Sequence, residues 1–307
     1  MNNQRKVKHV LGLSGGKDSA ALAIYMAREY PEIDIDYFFT DTGYELPEVY
    51  EFIDELESLL GKPILRLNHK ERSVNNEVRV FDKLLAEHNN FLPSGRQRWC
   101  TIKMKLEPFE KWINPLLKDG YEVFSYVGIR ADEPWRDGFI PNEAQKNLQI
   151  KMPFADDGIK RAGVISILES AGIGLPKYYE WRSRSGCTFC FFQRKIEWVR
   201  LMERYPEAFE EAKAYEKQAE TSANGETFYW MGPNEPLTSL EDPERIAQIK
   251  ENHEKNIARF EKKKARERNR RLGLHAMVDE SQIIDTLYMD EIYDDLEGGG
   301  ACVTCYK

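Results

Sequence analysis

Three times in the first 90 residues an apolar, β-rich run ends in a short turn and gives way to helical spacing, and this alternation limits the fold more than any other feature. Lys8–Leu13 reads as a strand and Asp18–Tyr30 as a helix. Ile33–Phe39 (IDIDYFF) reads as a strand, and Pro47–Leu60 (PEVYEFIDELESLL) as a helix with proline at its start and Gly61 just past its end. Pro63–Leu67 is a third strand, Val74–Glu87 and Met104–Leu117 are helices, and Tyr121–Ile129 (YEVFSYVGI) is a further strand. Strands joined through helices pair in parallel, because each crossover carries the chain back before the next strand begins. The expected fold is therefore α/β, an open, mostly parallel five-stranded sheet with helices on both faces, followed by a C-terminal helical, charged extension.

Beyond Arg130 the texture changes to loops rich in Pro, Gly and Arg, then to WRSRSGCTFCFFQRK, then to long charged helices from about Ile196. The expected division is an α/β domain over 1–200, a charged helical extension over 201–297 and a flexible tail over 298–307 (GGGACVTCYK). At 41% hydrophobic and 31% charged residues the chain suits a globular protein. It has no run of about 18 apolar residues, and its first apolar stretch is too short for a signal peptide. A cytoplasmic protein without membrane contact is expected.

The net charge of −8 argues against a uniformly basic coat for nucleic acid, yet charge is uneven along the chain. Nine Lys/Arg stand against two Glu between Lys255 and Arg271, and eight acids without Lys or Arg lie between Asp279 and Glu297. A solvated helix face with an acidic tail and a patch for a DNA or RNA backbone both remain open. The five cysteines, at 100, 187, 190, 302 and 305, are odd in number and include two Cys-x-x-Cys pairs. That usage fits a reducing compartment and raises metal or redox chemistry. The five histidines are scattered without ligand spacing.

The first strand runs into GLSGGKDSAAL, from Gly12 to Leu22. A Walker A loop would need glycine where Leu11 stands and Ser or Thr where Asp18 stands, so the pattern fails twice. The physics of an anion site is nevertheless present. Gly15 and Gly16 can turn backbone N–H groups toward a phosphate, the following helix adds the positive end of its dipole, and Lys17, Ser14 and Ser19 add donors. In an open parallel sheet, ligands lie outside the carboxyl ends of the strands. The loops at 14–19, 40–43 and 128–136 each follow an expected strand, so they should converge on one ligand. There Asp41 can assist magnesium or a ribose hydroxyl, or serve only as a turn residue, and Arg130 and Arg136 can clamp phosphate.

These residues carry a resemblance. Ser14-Gly15-Gly16-Lys17-Asp18-Ser19 resembles the pyrophosphate loop of N-type ATP pyrophosphatases, which break ATP between the α and β phosphates and adenylate a substrate. Thr40-Asp41-Thr42-Gly43, with Tyr44-Glu45-Leu46-Pro47-Glu48, resembles the Asp-Thr-Gly segment of the phosphoadenosine phosphosulfate (PAPS) reductase-like group. Val127-Gly128-Ile129-Arg130 resembles that group's Gly-Ile/Leu-Arg segment, and Arg98-Trp99-Cys100-Thr101 with Lys103, Lys105 and Pro108 its cysteine segment. The likeness extends over about residues 8 to 200. It implies an ATP and Mg²⁺ site made by Ser14, Gly15, Gly16, Lys17, Asp18, Ser19, Asp41, Thr42, Gly43, Arg130 and Arg136, with Lys17, Asp41 and Arg130 as the catalytic groups.

The same resemblance implies an iron–sulfur cluster of the 4Fe-4S kind on Cys100, Cys187 and Cys190. Trp99 stands where the family has another cysteine, so the fourth ligand is left to Cys302, Cys305, an exogenous group or nothing. Zinc and metal-free thiols stay open beside it. Arg182, Arg184, Arg194 and Lys195 flank the pair and favour thiolate. The chain looks closest to the branch with a complete loop and clustered cysteines, which includes DNA phosphorothioation sulfurtransferases and RNA thiolation enzymes. That branch implies an ATP pyrophosphatase that adenylates an acceptor and supports sulfur transfer to it. The acceptor would be DNA or RNA held through Lys255–Arg271, with Trp181, Phe189, Phe191 and Phe192 for base stacking or core packing, and a cysteine desulfurase would donate the sulfur. Alternatives are a PAPS or adenosine phosphosulfate reductase, and a non-catalytic ATP-binding or sulfate adenylyltransferase subunit of a larger complex.

Overall fold

The computed structural model describes residues 6–68, 79–95, 97–136, 140–141, 143–219, 228–271, 289 and 292. The chain divides into two compact units, one of Met1–Lys177 with Ser185–Thr188 and Cys302–Lys307, the other of Tyr178–Arg184 with Phe189–Ala301. Cys302, Cys305 and the tail over 298–307 lie outside the described residues, as does most of the acidic stretch.

In the first unit β1 (Val7–Leu13), β2 (Ile35–Thr40), β3 (Ile64–Leu67), β4 (Glu122–Tyr126) and β5 (Leu148–Lys151) form one sheet. Their order is β3-β2-β1-β4-β5, and every neighbouring pair is parallel. Around it stand α1 (Lys17–Glu29), α2 (Pro47–Leu60), α3 (Val80–Glu87), α4 (Trp99–Thr101), a π-helical stretch at Ile102–Leu106, α5 (Glu107–Lys118), α6 (Pro153–Asp156) and α7 (Arg161–Ser170). Val10 and Leu11 are both fully buried, and successive strand side chains point to opposite faces. On one face Val10 joins Phe38, Val123 and Leu148 against Phe109, Ile113 and Leu117 of α5. The chain steps β1 to β2 to β3 in one direction, then jumps back past β1 to β4. Right-handed crossovers put α1 and α2 on the face opposite α5 for that reason. There α1 packs against both α2 and α7.

The expected elements are present with specific differences. α2 has the expected bounds, closed by Gly61 at φ 61°, a left-handed conformation that suits glycine. The helix expected over Met104–Leu117 begins earlier, at Trp99, and is interrupted: Pro108 lacks an N–H, and α5 starts afresh around it after the π-helical stretch. The described part of the helix expected over Val74–Glu87 begins at Val80, after extended Arg79. β4 stops at Tyr126, where its pairing with β1 ends, and Val127–Ile129 is loop. β5 has too few residues for a period to show; its strand state rests on pairing with β4.

The second unit is helical, as the charged extension was expected to be. α8 (Lys195–Arg204), α9 (Pro206–Ala219) and α10 (Pro243–Arg271) accompany a short hairpin of β6 (Phe228–Tyr229) and β7 (Gly232–Pro233). Its core joins Trp198, Trp230, Phe189 and Tyr215 through ring contacts. The buried Glu216 carboxylate accepts hydrogen bonds from the Trp230 and Leu237 N–H groups at 2.8 and 2.7 Å. Trp181 and Phe189 are 1% and 3% exposed, so they are core residues and not base-stacking platforms. No helix among the described residues is long and apolar enough to cross a membrane.

Candidate functional site

The loop after β1 is built around its two glycines. Gly15 has φ +71°, and a Cβ there would lie 2.5 Å from Val49 Cγ1 of α2, so both conformation and space require glycine. Gly16 is the N-cap of α1 and makes no side-chain cap bond. Ser19 ties the loop internally: its Oγ accepts from the Ser14 N–H at 3.1 Å, donates to the Gly16 carbonyl at 3.2 Å and stands 3.2 Å from Ser14 Oγ. Lys17 is only 4% exposed, with Nζ 3.2 Å from Asp18 Oδ2.

The loop after β4 reaches the same place. A Cβ on Gly128 would stand 2.9 Å from the Asp18 carbonyl oxygen, so glycine lets this loop press against the first turn of α1. Arg130, buried, donates from Nη1 to Asp18 at 3.0 Å and from Nε to Asp132 at 2.8 Å, with Glu133 at 3.7 Å. Burial alone would raise the Asp18 carboxyl, but Lys17 and Arg130 outweigh it and hold it down at about 2. Burial opposes the Arg130 charge, yet Asp18 and Glu133 raise its affinity for the proton above even the arginine norm. Arg136 Nη1 is held by both Glu133 oxygens at 3.0 and 3.1 Å, while its Nε is buried without a partner. The cations expected to meet phosphate are thus collected, and the same residues supply the carboxylates that balance them.

The loop after β2 is held differently. Asp41 Oδ1 accepts from the Gly43 N–H and from the Tyr50 hydroxyl, both at 2.8 Å. Glu45, 7% exposed, accepts from the Thr42 hydroxyl at 2.7 Å and lies 3.2 Å from the Tyr50 hydroxyl, whose single proton it shares with Asp41. It also takes the N–H groups of Thr42 and Tyr44 at 3.2 and 3.3 Å. Burial pushes the Glu45 carboxyl up, against the Lys105 charge and the Thr42 bond that pull it down. Cys187 docks on this loop, pairing its backbone antiparallel with Glu45 and placing Sγ 3.3 Å from Thr42 Oγ1. Sequence reasoning assigned no role to Glu45 or Tyr50. Glu45 stood in the stretch that resembles the Asp-Thr-Gly segment, without a role of its own, and Tyr50 carried no signal beyond its place in the helical pattern of α2.

Cys100, half-buried in α4, and Cys187 belong to the first unit, and Cys190 to the second. Among the described residues no group of three or more His, Cys, Asp or Glu side chains is arranged to hold a metal ion. The cations flanking Cys187 and Cys190 have other settings: Lys195 pairs with Glu235, the Arg194 backbone N–H donates to Glu197 Oε2 at 3.0 Å at the start of α8, and Arg182 is fully buried.

Residues 8–149 match the phosphoadenosine phosphosulfate reductase domain. An uncharacterized 37.8 kDa protein of Escherichia phage 186 is 25% identical over 274 residues, 74% of this chain and 80% of that one. The phosphoadenosine 5'-phosphosulfate reductase of Proteus mirabilis is 47% identical over 124 residues, 40% of this chain and 46% of the enzyme. The tRNA-specific 2-thiouridylase MnmA of Streptococcus equi subsp. zooepidemicus is 23% identical over 217 residues, 64% of this chain and 55% of that protein. The chain thus spans about half the length of the two named enzymes.

Proposed function

From a chain whose residues 8–149 belong to the phosphoadenosine phosphosulfate reductase domain family, we propose an ATP pyrophosphatase that adenylates an acceptor and supports sulfur transfer to it. The observation that carries this reading is the placement of the Cys187 thiol, 3.3 Å from Thr42 Oγ1, on the loop at the carboxyl end of the strand next to the glycine loop. A sulfur atom on the nucleotide side of the sheet suits displacement of an adenylated oxygen. An acceptor oxygen attacks the α phosphorus and pyrophosphate leaves; a sulfur nucleophile then takes the place of that oxygen, which departs with AMP. Gly15, Gly16 and the first turn of α1 face the β and γ phosphates, Lys17 neutralises the departing pyrophosphate, and Arg130 keeps Asp18 and Lys17 in place. Asp41 uses Oδ1 for the turn and leaves its other oxygen for a magnesium ion, which fits because Mg²⁺ on a nucleotide asks only one or two carboxylates of the protein. Mg²⁺ supplies charge neutralisation on the phosphates.

Nucleic acid is the acceptor best supported. Along α10 the exposed Lys255, Arg259, Lys262, Arg266 and Arg270 recur every three or four residues, opposite the buried His253 and Phe260. They form one stripe about 22 Å long, enough for several backbone phosphates. The relative that thiolates tRNA supports the same class. A second reading, reduction of an activated sulfonucleotide, is favoured by the identity to the Proteus mirabilis reductase over 124 residues. Assays of pyrophosphate release from ATP, with and without tRNA or duplex DNA, and of sulfite release from PAPS with a thiol reductant, separate the two. Pyrophosphate and AMP are expected. Sulfite without ATP cleavage would replace this reading by the second.

A further inference from the structure

The hydrogen bonds of the β2 loop form one connected path from the candidate nucleotide carboxylate to the candidate sulfur. The Tyr50 hydroxyl donates to Asp41 Oδ1 at 2.8 Å and reaches Glu45 Oε2 at 3.2 Å. The other Glu45 oxygen takes the Thr42 hydroxyl proton at 2.7 Å, which leaves the Thr42 oxygen to accept from the Cys187 thiol at 3.3 Å. The backbone repeats the link: Glu45 pairs antiparallel with Cys187, and the Thr188 N–H donates to the Tyr44 carbonyl at 2.7 Å. A buried carboxylate with three donors of its own and a share in the single Tyr50 hydroxyl proton is over-determined, so displacing one partner is felt by the others. We propose that Thr42, Glu45 and Tyr50 are positioning residues that couple nucleotide binding at Asp41 to the placement of the Cys187 thiol. This rests on the reading that ATP occupies the glycine loop.

Coupling of this kind is reciprocal: if a bound nucleotide fixes the thiol through the path, changing the thiol must alter nucleotide affinity. The test is a double-mutant cycle on the dissociation constant of Mg²⁺ and α,β-methylene ATP, read by calorimetry on the full chain without turnover. Cys187→Ala is expected to weaken binding by on the order of 5-fold. Tyr50→Phe, which removes only the hydroxyl, should weaken it similarly, and the double variant should be no weaker than the worse single one. Cys187→Ser keeps a hydroxyl donor to Thr42 and should restore near-native affinity, a rescue that general loosening of the loop would not give. Additive effects, or a Cys187→Ala affinity equal to the native one, overturn the coupling while leaving the ATP site standing. Failure of the native protein to bind the analogue removes the ATP reading, and the coupling with it.

Discussion

The loops at one end of the sheet are held by two opposite means. The turns after β1 and β4 are fixed by charge: Lys17, Arg130 and Arg136 against Asp18, Asp132 and Glu133. The turn after β2 is fixed by hydrogen bonds gathered on one buried carboxylate, Glu45. Ion pairing lets a cation-rich loop pair hold together without an anionic ligand, because each cation has a carboxylate that can change partners if an anion arrives. Hydrogen bonding lets a thiol be held beside that site without placing another charge on it.

The largest effect that would break this comparison is on turnover. Under the proposed reaction Lys17→Ala removes the cation that would neutralise the leaving pyrophosphate and should lower pyrophosphate release by about 10²- to 10³-fold. Native turnover in that variant would take Lys17, and the charged half of the contrast, out of the chemistry. Next comes the frame itself. Gly15→Ala places a Cβ 2.5 Å from Val49 Cγ1 at φ +71° and should cost about 1–3 kcal/mol in chemical denaturation. Adding Val49→Ala should recover the steric part alone. Full recovery would mean that the positive φ imposes no strain.

Acid titration sharpens the contrast most directly, because the two carboxylates have opposite slopes. Asp18 is held at about 2 in the folded protein against an ordinary 3.8, so it adds stability above that ordinary value. That contribution, about 2 kcal/mol, is lost as pH falls through 4 toward 2. Glu45 is raised above its ordinary 4.5, so the fold bears a cost with Glu45 ionised, and the cost is relieved as pH falls through the raised value toward 4.5. In denaturation series on acidification the native protein should therefore lose stability relative to Asp18→Asn and gain it relative to Glu45→Gln, the Glu45 change setting in at higher pH. Parallel curves would show that one kind of force holds both loops.

Much of the sheet was legible in the residues. Proline at the start and glycine after the end marked α2 to its residue, and LSGGKDS marked a turn that nothing bulkier fits. The misses have physical causes. β5 is four residues long and becomes a strand only by pairing with β4. The π-helical stretch before α5 accommodates Pro108 within a helix that periodicity reads as shorter and continuous. Trp181 and Phe189, offered by their setting as base-stacking groups, are buried because the helical unit had room for them in its core.

By itself the sequence determined the parallel α/β sheet, the glycine loop and the identity of the cations around it, because local spacing and residue chemistry are properties of neighbours along the chain. Only the tertiary structure decided which carboxylate balances which cation, that Glu45 and Tyr50 join the site, and that Cys187 meets Thr42 while Cys190 falls in the other unit. Thr42 and Cys187 are 145 positions apart, and no local pattern encodes a contact that exists only once an entire sheet has closed between its two partners.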